Sequence, residues 1–264
     1  MSYAREPAVA GTFYPGDANE LGTAVEGYLA EARERGEPAD TPKALIVPHA
    51  GYVYSGPIAA TAYARLAPRA GDIRRVVLLG PSHRVWFEGL AVSGASVFRT
   101  PLGAIPIDRN AVASALELPQ VSERDQAHAR EHSLEVQLPF LQVALSAFAL
   151  APFSVGDARP EEVAEVLDLL WGGPETLIVI STDLSHYHDY DTARRMDAET
   201  SRAIEALIPE DLDGERACGC VPLAGMLTVA RRRGLGVRTL DLRNSGDTAG
   251  SRQEVVGYGA YAVG

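Results

Sequence analysis

The sequence has few cysteines, no excess of basic residues and no long apolar segment. Its 264 residues include only two cysteines, Cys218 and Cys220. A disulfide framework needs more cysteines than this, and a bridge between two cysteines so close in the chain would be strained. We therefore expect reduced thiols and a cytoplasmic protein.

Positive charge is also scarce. Lys and Arg total 24 against 35 Asp and Glu, which gives a formal net charge of -11. Binding of nucleic-acid phosphates requires a basic surface, so this composition argues against a nucleic-acid partner. No apolar run approaches the ~18 residues that a membrane span requires, and the first residues lack the pattern of a secretory signal. We predict no nucleic-acid and no membrane partner.

Common catalytic motifs are largely missing. The sequence contains neither the phosphate-binding G-x-x-x-x-G-K-[ST] loop nor the G-x-S-x-G nucleophile elbow. The inverted zinc-peptidase motif H-x-x-E-H does occur, from His128 to His132. The motif is short and its surroundings are highly polar, so we interpret it as a chance match at a solvated helix start.

Apolar segments with strand character alternate with helical segments along the chain. The predicted helices are 19–35, 57–67, 109–116, 132–148, 160–170, 191–208 and 221–234. The predicted strands are 43–48, 74–80, 88–94, 102–108, 149–155, 176–181, 237–242 and 255–263. This alternation predicts an α/β fold with a mostly parallel central sheet covered by helices on both faces. No linker or repeat divides the chain, so we expect residues 1–264 to form a single domain.

Three predicted strands end next to candidate site residues. KALIVP is followed by His49, VVLLGPS by His83, and LIVIST by Asp183 and His186. In open α/β sheets, ligands bind beyond the carboxyl ends of the strands. If these strands are parallel neighbours, the side chains meet at a metal or catalytic site.

Neutral imidazole is the commonest metal-binding side chain in proteins. Two histidines and one further ligand leave open coordination positions, which a catalytic metal needs. From the residues alone, the further ligand is Asp183, His186, Glu135 or a cysteine. Cys218 lies just before the helix that Pro222 is predicted to begin. A helix N-terminus lowers the pKa of a thiol, which favours the metal-binding thiolate.

Five blocks of sequence, in this order, resemble the Memo family. They are PHAGYVYSG at 48–56, LGPSHR at 79–84, EHSLEVQLPF at 131–140, STDLSHY at 181–187 and CGCVP at 218–222. The resemblance extends over about the whole chain, which implies one Memo-like domain over 1–264. Bacterial and archaeal members are called AmmeMemoRadiSam system protein B. The family is similar in fold to the class III extradiol dioxygenases, which are non-haem Fe(II) enzymes that cleave catechol rings.

The resemblance also implies roles for individual residues. The expected metal ligands are His49, His83 and Cys218, with the cysteine standing where the ring-cleaving enzymes carry a glutamate. His186 is the expected acid/base residue, with Asp183 beside it in the same pocket.

Further residues are expected around these. His132 and Glu135 are expected to lie behind the metal ligands or in the pocket and to orient the imidazoles by hydrogen bonds. Tyr52, Tyr54 and Ser82 are expected to line the pocket. For the two tyrosines, aromatic packing beneath a loop is the alternative interpretation.

The function that follows is that of a metal-dependent redox or oxygenase-type protein acting on a small organic substrate. Fe(II) is the expected metal, and copper or zinc would also suit two imidazoles and a thiolate. The resemblance implies a pathway shared with a radical SAM protein and an AMMECR-type protein. The alternative is a non-catalytic protein that binds a metal or a peptide in the same pocket.

Overall fold

The computed structural model describes residues 3–34 and 42–264. Within these ranges the β-strands are β1 (Ala4–Arg5), β2 (Ala44–Val47), β3 (Arg75–Pro81), β4 (Leu90–Val92), β5 (Val97–Thr100), β6 (Gly103–Pro106), β7 (Val121–Glu123), β8 (Ala149–Val155), β9 (Thr176–Ser181), β10 (His186–His188), β11 (Val237–Asn244) and β12 (Val255–Val263). The α-helices are α1 (Ala18–Glu34), α2 (Tyr52–Tyr63), α3 (Arg109–Ala115), α4 (Asp125–Ala129), α5 (Leu138–Ala144), α6 (Pro160–Leu169), α7 (Tyr190–Glu205) and α8 (Cys220–Arg233). The final residue of the helix predicted over 19–35 lies outside the described residues.

A mixed sheet, with nine strands among the described residues, forms the centre of the molecule. Its order is β10-β12-β2-β9-β3-β8-β4-β7, and β11 also pairs with β12. The central strands β2, β9, β3 and β8 are parallel, whereas β12 and β4 join this centre antiparallel. Strands β11 and β12 are consecutive and also antiparallel, because parallel pairing would require a longer crossover than the chain provides between them. The predicted parallel arrangement therefore applies only to the centre.

Helices cover the central strands on both sides. Every residue of β2 and of β9 is buried, and a strand with one face in water would instead show alternating burial. Helices α1, α2 and α5 contact one another, while α6 packs against α8, which lies on β3 and β9. Both faces of β2 and β9 are therefore covered, and α2 packs directly against β2.

A second sheet, three-stranded in the part of the chain that the structure describes, holds the segment around β1 in place. Its order is β1-β5-β6, and the predicted strand at 102–108 is β6 of this sheet. Phe98 of β5 and Ile105 of β6 belong to the same hydrophobic core as Leu79 of β3. The two sheets therefore share one apolar interior.

Helix α2 begins earlier than the sequence predicts. Its first residue is Tyr52, and Pro57, the predicted start, lies inside the helix. The amide of Tyr52 donates to the carbonyl of Phe13 at 2.7 Å, and that of Ser55 donates to Gly51 at 3.1 Å. Because the Phe13 contact comes from a distant part of the chain, the local sequence did not reveal this helix start.

In two other predicted helices, a proline lies near the start and a glycine ends the helix. The predicted helix at 132–148 is shorter: a 3₁₀ turn at Glu135–Gln137 leads into α5, which carries Pro139 in its first turn. That position tolerates the missing amide hydrogen of proline. Gly234 ends α8 with a φ of 66°, as predicted for a left-handed C-cap.

Candidate metal centre

The predicted meeting of three strand ends is confirmed. Strand β9 lies between β2 and β3 and is parallel to both. His49, His83 and Asp183 each follow one of these strands by two residues. Because neighbouring parallel strands end at the same edge of a sheet, the three side chains reach the same crevice.

Three imidazoles form the candidate metal site. One potential ligand atom from each of His49, His83 and His132 lies within 4.8 Å of the others. The ring centroids of His83 and His132 are 4.7 Å apart, and those of His49 and His83 are 5.2 Å apart. His49 is buried, whereas the side chain of His83 is 28% exposed. The group could hold a metal ion that solvent reaches from the side of His83.

Glu131 orients His83. Its carboxylate lies 2.9 Å from Nδ1 of His83 and accepts the His83 amide at 2.6 Å. The amides of His132 and Ser133 also donate to it, each at 2.9 Å. Burial opposes ionisation, but these hydrogen bonds outweigh it and lower the pKa of Glu131 to about 2. An ionised carboxylate only accepts, so His83 donates from Nδ1, and in a neutral ring this leaves the lone pair for a metal on Nε2.

His49 is held on three sides. Its amide donates to Asp183 Oδ1 at 2.7 Å, Nδ1 lies 2.9 Å from Ser181 Oγ, and Nε2 lies 3.3 Å from Cys218 Sγ. Burial, together with the neighbouring imidazoles of His83 and His132, lowers the pKa of His49 well below its ordinary value. His49 is therefore neutral, which is the form that binds metals.

His132 lies in the group of imidazoles rather than behind it. The ring of Phe13 packs against it at a centroid distance of 4.8 Å. Its Nδ1 is 3.3 Å from Glu131 Oε1, yet this buried atom has no hydrogen-bond partner among the described residues. Burial lowers the pKa of His132 to about 4. A neutral buried nitrogen without a partner is unusual in folded proteins and fits a metal ligand.

Cys218 lies next to His49. Its Sγ accepts the amide of Asp183 at 3.3 Å, in addition to its contact with His49. It does not belong to the group of mutually close ligand atoms found in the described parts of the chain. Burial, aided by the Asp183 carboxyl, raises the pKa of the Cys218 thiol to about 12. The predicted lowering of this pKa by a helix N-terminus is therefore wrong, since desolvation outweighs the effect of α8, which begins at Cys220 rather than Pro222.

Asp183 and His186 border this arrangement. Burial raises the pKa of Asp183 to about 7, although hydrogen bonds from the amides of His49 and Ala50 oppose the shift. His186 begins β10. Burial lowers its pKa, and a hydrogen bond to the backbone of Leu184 partly offsets this.

Glu135 does not have the orienting role that was predicted for it. Its carboxylate pairs with Arg5 and accepts hydrogen bonds from the Ala8 amide at 2.7 Å and the Tyr14 hydroxyl at 2.5 Å. It therefore anchors the N-terminal segment. Glu131 orients an imidazole instead, and its position directly before His132 was the signal that could have identified it.

The predicted pocket tyrosines differ from each other. Tyr52 is buried, donates its hydroxyl hydrogen to the Val136 carbonyl at 2.7 Å and packs against Phe140 at a centroid distance of 5.0 Å. This matches the packing interpretation rather than a pocket wall. Tyr54 is 39% exposed. Ser82 donates to the Val85 carbonyl at 2.7 Å, which shapes the turn after His83.

The H-x-x-E-H segment does not form a peptidase site. Helix α4 ends at Ala129, so its two histidines do not share a helix face. His128 Nε2 instead lies 3.0 Å from the carbonyl of Ala91. Both His128 and Glu131 are buried, so the predicted solvated setting of this segment is wrong.

The fold and the site together define a mixed α/β protein with a histidine-based candidate metal centre. Residues 5–262 match the family described as Memo-like protein, and the chain belongs to this family. Among the described residues, no helix is both long and apolar enough to cross a membrane.

Known proteins similar to this chain agree with that assignment. A MEMO1 family protein of Thermotoga petrophila is 35% identical over 276 residues, covering 96% of this chain and 97% of the relative. A MEMO1 family protein of Aquifex aeolicus is 38% identical over 267 residues, with coverages of 96% and 97%. The crystal structure of the uncharacterized protein JW3007 from Escherichia coli K12 matches with a TM-score of 0.53 and 14% identity, covering 83% of this chain and 99% of that one. At this identity the likeness concerns the fold alone.

Proposed function

We propose that this protein is a metal-dependent redox protein of the oxygenase type that acts on a small organic substrate. The observation that carries the proposal is the trio of imidazole ligand atoms within 4.8 Å of one another. Fe(II) is the proposed metal, with copper or zinc as alternatives. Fe(II) bound by a few protein ligands supplies open positions for O₂ and substrate.

His49 and His83 are the proposed protein ligands in every version of the site. Cys218 is the proposed third ligand, as the family resemblance implies, and its Sγ lies 3.3 Å from His49 Nε2. His132 competes for this role because its ligand atom lies close to those of both other histidines. Glu131 and Ser181 hold the sides of His83 and His49 that face away from the metal.

Proton release distinguishes Cys218 from His132 as the third ligand. The thiol has a pKa of about 12, so it must lose its proton when it binds a metal at neutral pH, which releases about one proton. We expect wild type to release about one proton more per bound Zn²⁺ than Cys218→Ser, measured by calorimetry in buffers of different ionisation enthalpy. If wild type and Cys218→Ser release the same number of protons, and His132→Gln loses zinc binding, the third ligand is His132.

The metal site itself is tested by elemental analysis. His49→Ala should abolish metal binding in protein purified without oxygen, while its circular dichroism spectrum stays that of the wild type. Undiminished metal content in the variant would refute the site.

His186 and Asp183 are the proposed proton-transfer residues. The Asp183 carboxylate accepts the His49 amide at 2.7 Å, and His186 lies close enough to His49 to influence its pKa. His186→Gln should reduce oxygen uptake while the metal content stays unchanged. Loss of metal together with activity would instead give His186 a structural role.

The proposal extends to the fold family and to partners. We propose a class III extradiol dioxygenase-like fold and a cytoplasmic pathway shared with a radical SAM protein and an AMMECR-type protein. Membership of the Memo-like family supports this. Oxygen-uptake screening with the product of the radical SAM partner is the direct test, and absence of uptake with the Fe(II)-loaded protein would count against it.

Exposed apolar side chains favour a second candidate, a non-catalytic protein that binds a peptide at the same pocket. Trp86, three residues after His83, is 76% exposed, and Tyr187, directly after His186, is 74% exposed. Exposed large apolar groups often mark binding surfaces. This candidate would be favoured over the enzyme if the metal-loaded protein binds a peptide but consumes no oxygen. Trp86→Ala should then lose peptide binding.

A further inference from the structure

A chain of buried polar side chains lies behind His49. It consists of Tyr63 in α2, Gln137 before α5, Ser181 at the end of β9 and His49 itself, and each is at most 2% exposed. Buried polar groups are costly unless they are hydrogen-bonded. The hydrogen bonds in this chain can therefore be followed one at a time.

The orientation of Gln137 is settled by its neighbours. Tyr63 donates its hydroxyl hydrogen to Gln137 Oε1 at 2.9 Å. The carbonyl of Pro48 only accepts, so the Gln137 atom 2.9 Å from it is Nε2. The same Nε2 lies 2.8 Å from Ser181 Oγ. Gln137 therefore donates to Ser181.

The hydroxyl of Ser181 has one hydrogen to donate. The Ser133 carbonyl, which only accepts, lies 2.6 Å from Ser181 Oγ and takes that hydrogen. The third contact of Oγ is with His49 Nδ1 at 2.9 Å. Since Ser181 has no second hydrogen, His49 must be the donor in this contact.

We infer that Ser181 is a positioning residue that holds His49 as the Nδ1–H tautomer. The Nε2 atom then carries the lone pair, and it lies 3.3 Å from Cys218 Sγ. Gln137 and Tyr63 support this arrangement by keeping Ser181 in its orientation. The tautomer follows from the hydrogen bonds alone, whereas its consequence for metal binding rests on the proposed function.

The consequence is that Ser181 keeps the ligating nitrogen of His49 available. A neutral imidazole has one lone pair, and in the other tautomer Nε2 would carry a hydrogen and could not bind a metal. Loss of a group that orients a ligating histidine typically lowers metal affinity about 10- to 100-fold. Ser181 should therefore contribute to affinity although it does not touch the metal.

The tautomer is measured directly on the metal-free wild-type protein. The chain has six histidines, so histidine-selective ¹⁵N labelling gives a small set of imidazole signals, and His49→Gln identifies that of His49. We expect a neutral ring with its hydrogen on Nδ1. A ring with its hydrogen on Nε2 would overturn the inference.

Ser181→Ala tests the consequence, with Ser154→Ala as its matched control. Ser154 is also fully buried in a central strand, and its Oγ has no hydrogen-bond partner within residues 3–34 and 42–264. Competition with a chromophoric chelator measures the Zn²⁺ affinity of each variant. We expect Ser181→Ala to bind Zn²⁺ about 10- to 100-fold more weakly and to shift His49 towards the Nε2–H form. Ser154→Ala should match wild type in both respects.

The outcomes separate this inference from the proposed function. If Ser181→Ala keeps wild-type zinc affinity and the Nδ1–H form, Ser181 does not position His49. If wild type binds no metal but His49 is the Nδ1–H tautomer, the tautomer assignment stands and the proposed metal function fails.

Discussion

Glu131 and Glu135 are two buried carboxylates in one short stretch of chain, yet they stabilise different parts of the molecule. Glu131 accepts from His83 and from the amides of His132 and Ser133. Glu135 pairs with Arg5 and accepts the Ala8 amide. This comparison shows that residue type and burial do not decide whether a carboxylate stabilises the candidate site or the fold. Its hydrogen-bond and ion-pair partners decide this. The predictions below test this distinction in order of decreasing expected effect.

Glu135→Gln should cause the largest loss of stability. The variant leaves Arg5 buried without a charged partner, and removing one member of a buried ion pair typically costs about 3–5 kcal/mol. Urea denaturation followed by circular dichroism measures the unfolding free energy. A loss below about 1 kcal/mol would mean that neutral hydrogen bonds alone satisfy Arg5.

Glu131→Gln should act mainly on metal binding. An amide group cannot accept from all the donors that surround Glu131, so His83 loses its fixed orientation, and Zn²⁺ affinity should fall about 10- to 100-fold. Chelator competition gives this value. If Glu135→Gln weakens zinc binding as much as Glu131→Gln does, the division of roles between the two carboxylates is wrong.

Asp197 extends the comparison to a buried carboxylate with few donors. Burial raises the pKa of Asp197 to about 6, against a weaker lowering by the hydrogen bond that the Ser185 amide donates to its carboxylate. Between the unfolded and the folded pKa the folded state binds more protons, so stability falls as pH rises from about 4 to about 6. Asp197→Asn removes this cost and should be about 1–2 kcal/mol more stable than wild type at pH 7.

The pH dependence supplies the control for Asp197. The advantage of Asp197→Asn in urea denaturation should shrink as the pH falls towards 4, where the wild-type carboxyl is protonated. A constant difference across this range would show that the ionisation of Asp197 is not its cause.

Glu210→Gln should have the smallest effect. Glu210 pairs with Arg231 at 3.2 Å, but both side chains are more than half exposed, at 63% and 52%. Exposed ion pairs often contribute nothing measurable. The urea midpoint of this variant should equal that of wild type, and a clear shift would show that exposure is a poor guide to the strength of ion pairs in this protein.

Local patterns predicted much of the fold. The apolar runs VVLLG and LIVIS are the buried strands β3 and β9, and Gly234 ends α8 as expected. The start of α2 was missed because the carbonyl that accepts from Tyr52 belongs to Phe13, far away in the chain. Contacts of this kind leave no local signal.

The candidate site was predictable from the sequence to about the same extent as the fold. His49, His83 and Asp183 each follow an apolar strand, and this was visible in the sequence. Their meeting could be predicted because the ends of neighbouring parallel strands lie at the same edge of a sheet. The approach of His132 to the other imidazoles was not, since it depends on the path of the chain between β7 and α5. Which of Glu131 and Glu135 orients an imidazole depends on the same path of the chain, so it was not predictable either.

The sequence by itself determined which segments form the central strands and which side chains follow them, because the hydrophobic pattern of a strand is a local property. Tertiary structure alone decided the environment of those side chains. The pKa of Cys218 illustrates this: its place before a helix suggested a lowered value, but burial raises it to about 12. Desolvation depends on everything that packs around a group, and that information is spread over the whole chain.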